Sequence, residues 1–329
     1  MESRDYLAFV FKNIKKLRND EKKSLLTLIE KRVGKDFSIS GIKECVSGYF
    51  IKNLSWLDAA FKAADKEIKN VEKSSVKYIS IFDPLYPPLL KEIYDPPFIL
   101  FYRGTLPSSY EKTVGVVGTR YATGTALNAA FDMGFGFGVN GVRVVSGLAL
   151  GIDRHSHLGN MASGMSAIAV LGNGIDEIYP AANKKLAYRM LEEGGVIFSE
   201  LGPGIPPSRF TFPQRNRIIS GIASAVVVVQ APKRSGALLT ADFAAEQGRE
   251  LYVHSAGLPF PQGAGGKALV EDGVKEVSSP VDVIGDLGWD VEYPVYSTDS
   301  LKSAEQHELL VYELSGRAVN NCGIYYFKR

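Results

Sequence analysis

The stretch Val114-Gly-Val-Val-Gly-Thr-Arg-Tyr-Ala-Thr-Gly-Thr-Ala126 decides the fold. A short apolar run ends in Gly118, Arg120 follows two residues later, and small and polar residues then open a segment with helical spacing. A strand that turns directly into a helix is where α/β folds collect anions, because backbone N–H groups and the helix dipole point to the turn. The sequence therefore predicts an anion site here, and the question is which anion it binds.

The composition predicts a soluble, cytoplasmic protein that binds anions through local clusters of charge. The chain has 329 residues, of which 45% are hydrophobic, so it can bury a sizeable core. Residues 1–75 carry 16 basic and 11 acidic residues, whereas the remainder carries 22 and 25, so the main body has no overall positive field. Cys45 and Cys322 are too few for a disulfide framework or a cysteine-rich zinc site and fit a reducing compartment. The charged N-terminus and the lack of an apolar run of about 18 residues predict no signal peptide and no membrane contact.

The first 75 residues have the pattern of a small all-α domain. Apolar residues recur at helical spacing, and Asn19-Asp20 provides a stop and a cap between the first two segments. The surplus of basic residues in this domain is interpreted as mostly solvated, with a weak nucleic-acid contact as the alternative. The predicted helices cover residues 3–18, 20–33, about 38–50 and 55–69.

Two further boundaries follow from changes of composition. The stretch after residue 75 is rich in proline, which forces extended chain and turns, and it contains the strand-like runs Lys77–Phe82 and Phe98–Tyr102. We interpret this stretch as a connector that packs on the next domain. We therefore expect a helical domain at 1–75, a core with its lead-in at 76–285, and a linker with one helix, about 304–314, at 286–329.

From Thr113 to about Ser278, strand-like and helical segments alternate. Continuous β-branched runs such as Ala225–Val229 suit strands that are buried on both faces, and these belong to parallel sheets. Right-handed crossovers then give an α/β fold with a doubly wound, mostly parallel, Rossmann-like sheet. The predicted strands are Val114–Val117, Arg143–Val145, Ala167–Leu171, Val196–Phe198, Ala225–Val229 and Leu251–His254, and the helices between them are about 124–138, 153–163, 183–193, 213–222 and 237–247.

Basic and aromatic side chains gather at one edge of this predicted sheet. Ligands of such folds bind beyond the carboxyl ends of the strands, and nine basic residues follow those ends. Cations track a phosphate backbone and aromatic faces stack bases, so this combination is typical of a surface for single-stranded nucleic acid. Scattered charges that never converge are the alternative. The cations are Arg120, Arg154, Lys184, Lys185, Arg209, Arg215, Arg217, Lys233 and Arg234, and the interleaved aromatic residues are Tyr121, Tyr179, Phe210 and Phe212.

Three glycine-containing turns, each of which follows a predicted strand, are expected at the same edge of the sheet. Glycine lets backbone approach a ligand or adopt positive φ, although each turn alone is ordinary α/β chemistry. Asp153 stands at a helix start, where a carboxylate stabilises the helix dipole, and we interpret the nearby histidines as structural rather than catalytic. No nucleophile–base pair and no metal site is supported. The residues expected to shape these turns are Gly147, Gly151, Asp153, His157, Gly172, Gly174, Ser235, Gly236 and Thr240.

The motifs of nucleotide cofactors are missing. Gly115-Val-Val-Gly118 does not match the G-x-G-x-x-G fingerprint, and the second strand ends in Ser146-Gly147 where a ribose-binding acid is required. No G-x-x-x-x-G-K-[ST] sequence is present, which argues against P-loop ATP hydrolysis. We therefore expect no cofactor.

Together these residues resemble the DNA-processing protein A family, also called DprA or Smf. The resemblance covers about residues 78–280, and the order of so many motifs argues against chance similarity. The matching runs include Val117–Arg120, Val145–Asp153, Ala169–Asp176, Phe212–Gly221 and Ser235–Ala241.

The resemblance implies a cytoplasmic, dimeric, single-stranded-DNA-binding protein that is not an enzyme. Members of the family protect incoming DNA in natural transformation and help to load the recombinase RecA. The family's pattern assigns DNA contacts to Arg120, Lys184 or Lys185, Phe212, Arg215, Asn216 and Arg217. To these we add, from their place at the predicted edge, Gly118, Thr119, Phe210, Lys233 and Arg234.

The chain departs from the family's pattern in several places. Gln230 stands where the family has glutamate, and Ser255-Ala-Gly257 replaces a Pro-Gly turn. The N-terminal helices resemble a SAM-like module, and the tail resembles only the opening helix of a winged-helix domain. The rival function is a nucleotide-binding hydrolase of the phosphoribohydrolase type. Its Pro-Gly-Gly-x-Gly-Thr-x-x-Glu motif is absent, although Ser235–Thr240 with Glu246 occupies a comparable place.

Overall fold

A nine-stranded sheet with helices packed against it confirms the predicted Rossmann-like α/β fold. The computed structural model describes residues 3–33, 41, 55–292, 295–297, 318–321 and 324–327. The strands of the sheet are β1 Lys77–Ser80, β2 Ile99–Gly104, β3 Thr113–Val117, β4 Arg143–Ser146, β5 Ile168–Leu171, β6 Val196–Ser199, β7 Ala225–Val228, β8 Glu250–His254 and β9 Lys275–Val277. The helices are α1 Ser3–Asn13, α2 Asn19–Val33, α3 Ser55–Ser74, α4 Pro88–Glu92, α5 Gly124–Val139, α6 Ile152–Ala162, α7 Lys184–Glu192, α8 Thr211–Ile222, α9 Gly236–Glu246, α10 Ala264–Glu271 and α11 Pro280–Asp286.

The strands lie in the order β1-β2-β6-β5-β4-β3-β7-β8-β9. Neighbouring strands from β6 to β9 are parallel, so their carboxyl ends share one edge of the sheet. Val114 and Val116 of β3 pack in one apolar cluster, whereas Val117 packs in another, because the two faces of the sheet are both covered. This arrangement places the loops after β3, β4 and β7 side by side at the carboxyl edge.

The proline-rich stretch interpreted as a connector supplies two strands of the same sheet, which is a correction to the sequence-based interpretation. β2 pairs antiparallel with β6, and β1 pairs antiparallel with β2. Ile99, Leu100 and Phe101 of β2 are fully buried, since they fill the space beside β6 that solvent would otherwise reach. The sequence analysis also missed β9, α10 and α11.

The N-terminal helices pack on this antiparallel part of the sheet. The ring centroid of Phe9 lies 6.3 Å from that of Phe101, and the Phe11 and Phe98 centroids are 5.4 Å apart. The Tyr6 hydroxyl donates to Asp65 of α3 over 2.9 Å, which ties α1 to α3. The helices therefore share one apolar core with the sheet. The first helix ends at Asn13, earlier than predicted, and the predicted helix 38–50 lies outside the described residues.

Three short strands follow the main sheet. They are β10 Val295–Ser297, β11 Ala318–Asn321 and β12 Ile324–Phe327, and they pair antiparallel in the order β10-β12-β11. These strands were not predicted, and the predicted helix 304–314 lies outside the described residues. No helix in the described ranges has both the length and the apolar character needed to span a membrane.

Glycines allow α5 and α6 to cross in backbone contact. A Cβ atom added to Gly159 would lie 2.0 Å from the carbonyl oxygen of Phe131, and one added to Gly134 would lie 2.2 Å from that of Ser156. Both distances are far below van der Waals contact, so only glycine fits at this crossing. The crossing fixes α6, whose first turn carries Asp153 to the carboxyl edge.

Candidate nucleic-acid interface

A pocket of about 280 Å³ opens at the carboxyl ends of β3, β4 and β7. We call it the edge pocket. Its walls come from the turn after β3, the loop between β4 and α6, the first turns of α8 and the start of α9. The residues that line it are Val117, Gly118, Thr119, Arg120, Tyr121, Ala149, Asp153, Phe212, Pro213, Arg215, Asn216, Ile219, Ser235, Gly236, Ala237, Leu239 and Thr240.

Arg120 presents a free cation at the mouth of the edge pocket. Its side chain is exposed, and within the described ranges it has neither an ion pair nor a side-chain hydrogen bond. The guanidinium lies 5.6 Å from the ring centroid of Phe212, and the Phe212 ring lies 5.7 Å from that of Tyr179. Tyr121 beside it is 86% exposed. A positive charge next to open aromatic faces is the arrangement that binds a phosphate and stacks a base.

The opposite wall of the edge pocket is the N-terminus of α9. The first N–H groups of a helix have no intrahelical partner and carry the positive end of the helix dipole. Ser235 precedes the helix without capping it, and its Oγ atom is buried with no hydrogen-bond partner in the described part of the chain. Gly236 leaves open space above its Cα atom, so an anion can approach this backbone closely.

Arg215 and Asn216 form the floor of the edge pocket and are almost completely buried, with exposures of 7% and 8%. The Arg215 guanidinium donates to the carbonyl oxygen of Gly147 over 2.7 Å and to that of Val170, and its Nε donates to Asn216 Oδ1 over 3.1 Å. Asn216 Nδ2 donates to the carbonyl oxygen of Gly236 over 3.0 Å. Burial lowers the pKa of Arg215 to about 10.

Asp153 holds the loop between β4 and α6, whose Gly147 carbonyl group also accepts from Arg215. Its Oδ2 accepts hydrogen bonds from the N–H groups of Gly147 and Ala149, at 3.1 and 3.4 Å. Burial raises the pKa of this carboxyl group, against the opposing effect of Arg215. Gly151 has φ +76°, and a Cβ atom there would lie 2.4 Å from the carbonyl oxygen of Thr119. The glycines and the acid predicted to shape this turn therefore do lie around it.

His157 lies fully buried on α6, and neither ring nitrogen has a hydrogen-bond partner among the described residues. Burial, with a smaller effect from Arg215, lowers the pKa of His157 from 6.5 to about 3. His157 therefore lies in the interior, and the structural role that the sequence analysis favoured over catalysis stays a prediction.

We expect His157 to make the protein less stable in acid. The unfolded chain takes up a proton near pH 6.5 while the folded protein keeps the ring neutral, so this contribution is complete above pH 6.5 and is lost as the pH falls toward 3. Urea unfolding of the His157→Leu variant across this range should give a flatter pH dependence than the parent protein. If the free energy of unfolding of the variant falls with decreasing pH as it does in the parent protein, His157 is not the group responsible.

The structure corrects the phosphate contact predicted for Arg217. Arg217 does not line the edge pocket and is only 9% exposed. Its Nε donates to Asp95 over 3.1 Å, and its Nη2 donates to both oxygens of Glu200 at 2.8 and 3.0 Å. Burial alone would lower the pKa of Arg217, but these two carboxylates outweigh burial and raise it. The guanidinium thus fixes the lead-in to the sheet instead of offering a charge to a ligand.

Replacing Arg217 by methionine should lower the free energy of unfolding by about 3 kcal/mol, because two carboxylates lose their buried partner. The matched control is Arg189→Met, since Arg189 pairs with Glu193 at the surface, where such pairs contribute about 0.5 kcal/mol. Denaturant unfolding of both variants checks the difference. Equal stability of the two variants would contradict the assigned role.

Except for Thr240, the remaining predicted residues do not line the edge pocket. Lys184 and Lys185 are exposed at the start of α7, and Asn183 before them donates to the carbonyl oxygens of Leu148 and Ala149. Phe210 is 67% exposed, with the Arg209 guanidinium 4.8 Å from its ring centroid. The remaining placements are as follows: Lys233 and Arg234 are exposed before α9, Gly172 backs the Phe212 ring, Gly174 donates to the carbonyl oxygen of Ile205, and Thr240 donates to that of Gly236.

Gln230 positions the first turn, a role that the sequence analysis missed. Its Oε1 accepts from the Thr123 N–H over 2.9 Å, and its carbonyl oxygen accepts from the Thr119 N–H over 2.8 Å. Its Nε2 donates to Thr123 Oγ1 and to the carbonyl oxygen of Gly257. The one signal in the sequence was that an amide stands where the family has glutamate. The amide suits the place because it both donates and accepts.

The fold and this pocket define a Rossmann-like protein in which an exposed arginine, aromatic side chains and a helix N-terminus meet at the carboxyl edge of the sheet. A sequence model described as DNA recombination-mediator protein A matches residues 77–288. The chain belongs to this family of DNA-processing proteins. Protein Smf of Borreliella burgdorferi is 32% identical over 278 residues, which are 82% of this chain and 85% of Smf. DNA processing protein DprA of Streptococcus pneumoniae is 39% identical over 208 residues, 63% of this chain and 73% of DprA.

Two solved structures extend the comparison. The crystal structure of DprA from Streptococcus pneumoniae superposes with a TM-score of 0.73 at 32% sequence identity. The superposition covers 86% of this chain and 97% of the DprA chain. A structure of DprA from Helicobacter pylori, which concerns its single-stranded DNA binding mode, superposes with a TM-score of 0.57 at 25% sequence identity. This superposition covers 65% of this chain and 97% of the Helicobacter pylori chain.

Proposed function

We propose that this protein binds single-stranded DNA along the carboxyl edge of its sheet, protects it and hands it to RecA. The observation that carries the proposal is the edge pocket, in which the free cation of Arg120, the Phe212 ring and the N-terminus of α9 face one space. Phosphate fits between the cation and the helix N-terminus, and aromatic faces stack bases of any sequence. The Helicobacter pylori relative, whose structure concerns single-stranded DNA binding, supports the same ligand.

The exposed cations around the edge pocket extend this surface. Lys184, Lys185, Lys233 and Arg234 lie on loops or helix starts that flank it, so a strand that leaves the pocket meets further positive charge. The protein acts by binding and transfer, without covalent chemistry, as a homodimer in the cytoplasm. Sedimentation velocity tests the dimer, and the rate of RecA filament growth on single-stranded DNA, with and without this protein, tests transfer.

The rival function, hydrolysis of a nucleoside monophosphate, requires a carboxylate aimed at the ligand. Among the described residues, Asp153 is the only acid that lines the edge pocket, and its Oδ2 already accepts two backbone hydrogen bonds. Glu246, the candidate from the sequence, is exposed at the last turn of α9 and does not line the pocket. The pocket therefore favours binding over catalysis.

The proposed function is tested by titrating labelled oligodeoxythymidylate and a duplex of equal length with the protein over a series of NaCl concentrations. We expect preference for the single strand and an affinity that falls linearly with the logarithm of salt concentration. Incubation with nucleoside monophosphates should release no free base in a chromatographic assay. Absence of oligonucleotide binding, or release of base, would overturn the proposal.

A further inference from the structure

We infer that Arg215 and Asn216 are positioning residues, which set the shape of the edge pocket without binding phosphate through their charge. The inference rests on the proposed binding of single-stranded DNA at this pocket. It departs from the pattern of the family, which implies that these two side chains contact DNA. It stands on the direction of their hydrogen bonds, on their burial and on the space that neighbouring glycines leave for them.

The Arg215 guanidinium is directed to backbone oxygens. It joins the carbonyl group of Gly147, in the loop after β4, to that of Val170 within β5. A Cβ atom added to Gly147 would lie 2.3 to 2.5 Å from the guanidinium atoms, so this loop is built against the planar group. Nη1 donates to both carbonyl oxygens while Nε, in the same plane, donates to Asn216 Oδ1, and lysine has only one nitrogen to replace these two.

Asn216 connects Arg215 to the start of α9, which is another wall of the edge pocket. Its Oδ1 accepts from Arg215 Nε, and its Nδ2 donates to the carbonyl oxygen of Gly236 in the first turn of α9. Two consecutive residues of α8 thereby tie the loop after β4 and the strand β5 to the helix N-terminus proposed to receive phosphate. Asp153 holds the same loop through the N–H groups of Gly147 and Ala149, so the loop is fixed from both sides.

Arg120 shows the contrast. Its side chain is exposed and lies against the Phe212 ring, and it has no ion pair or side-chain hydrogen bond among the described residues. A cation that binds phosphate releases counterions, so its loss lowers the salt slope of binding by about 0.7 for a single strand. Loss of a positioning residue lowers the affinity but leaves the number of phosphate contacts, and therefore the slope, unchanged. The slope separates these two roles.

The experiment measures the affinity for oligodeoxythymidylate over a series of NaCl concentrations with Arg215→Gln, Asn216→Ala and, as the reference for a direct contact, Arg120→Ala. Lys66→Ala, an exposed lysine on α3, is the control for loss of a remote charge. Arg215→Gln removes the charge, so an unchanged slope for this variant excludes a phosphate contact by Arg215, and Asn216→Ala removes no charge. We expect both to weaken binding about tenfold with an unchanged salt slope, because each loses a buried polar contact.

Hydrogen exchange provides a second readout. Backbone amides of residues 146–150 and 235–240 should exchange faster in Asn216→Ala than in the parent protein, with the rest of the sheet unchanged. If Arg215→Gln does not fold, Asn216→Ala decides alone. Parent-like affinity of Asn216→Ala, or a salt slope lowered by about 0.7 in a folded Arg215→Gln variant, would overturn the inference. Failure of the parent protein to bind would instead refute the proposed function.

Discussion

The variant Arg120→Ala is expected to bind single-stranded DNA about tenfold more weakly than the parent protein. Arg120 is the exposed cation of the edge pocket, and a charged hydrogen bond to phosphate contributes roughly 1.5–3 kcal/mol. Because phosphate carries no sequence information, the loss should be the same for oligonucleotides of every sequence. The slope of log affinity against log salt should also become shallower by about 0.7.

Fluorescence anisotropy titrations over a series of salt concentrations measure both quantities. The conservative variant Arg120→Lys should keep most of the slope, since it retains the charge, but should lose part of the affinity with the planar stack on Phe212. An Arg120→Ala protein with parent affinity and parent slope would show that the strand does not reach this pocket.

Gly159→Ala is expected to destabilise the folded protein as strongly as Arg217→Met does. The added methyl group would lie 2.0 Å from the Phe131 carbonyl oxygen, and backbone cannot yield as a side-chain end does. The crossing of α5 and α6 must therefore open. Overpacking of this kind costs about 3 kcal/mol of the free energy of unfolding.

Urea unfolding followed by circular dichroism measures this loss. The control is Gly285→Ala in α11, where an added Cβ atom meets nothing within 4 Å. There the substitution should be neutral or should stabilise by about 0.5–1 kcal/mol, since alanine favours a helix over glycine. Equal unfolding free energies for the two variants would contradict the close crossing.

Local patterns allowed much of this architecture to be predicted. Continuous apolar runs such as Ala225–Val229 and glycine turns placed the six parallel strands from β3 to β8 and the helices between them, because both signals are short in sequence. The two strands of the lead-in were recognised, but their membership in the sheet was not. Their membership in the sheet depends on the pairing of Phe101 with Ser199, and no local sequence pattern encodes a contact between residues so far apart in the chain.

The same limit applies to the site. Arg120 was predicted from its place after the first strand, and it lines the pocket. Arg215 and Arg217 were treated alike, although residues two apart on a helix point in different directions. The partner that decides the role of Arg217, Asp95, is 122 positions away in the chain, and its contact became visible only in the fold.

The antiparallel pairing of β2 with β6 sets an order of events during synthesis. Phe101 leaves the ribosome 98 residues before its partner Ser199, an interval of about 5 to 20 s at ordinary rates of translation. Until Ser199 is made, β2 cannot pair with β6, and the N-terminal helices that pack on β2 have no complete sheet to pack against. The N-terminal helices are therefore made before the sheet on which they pack is complete, and their apolar surface must avoid other contacts meanwhile.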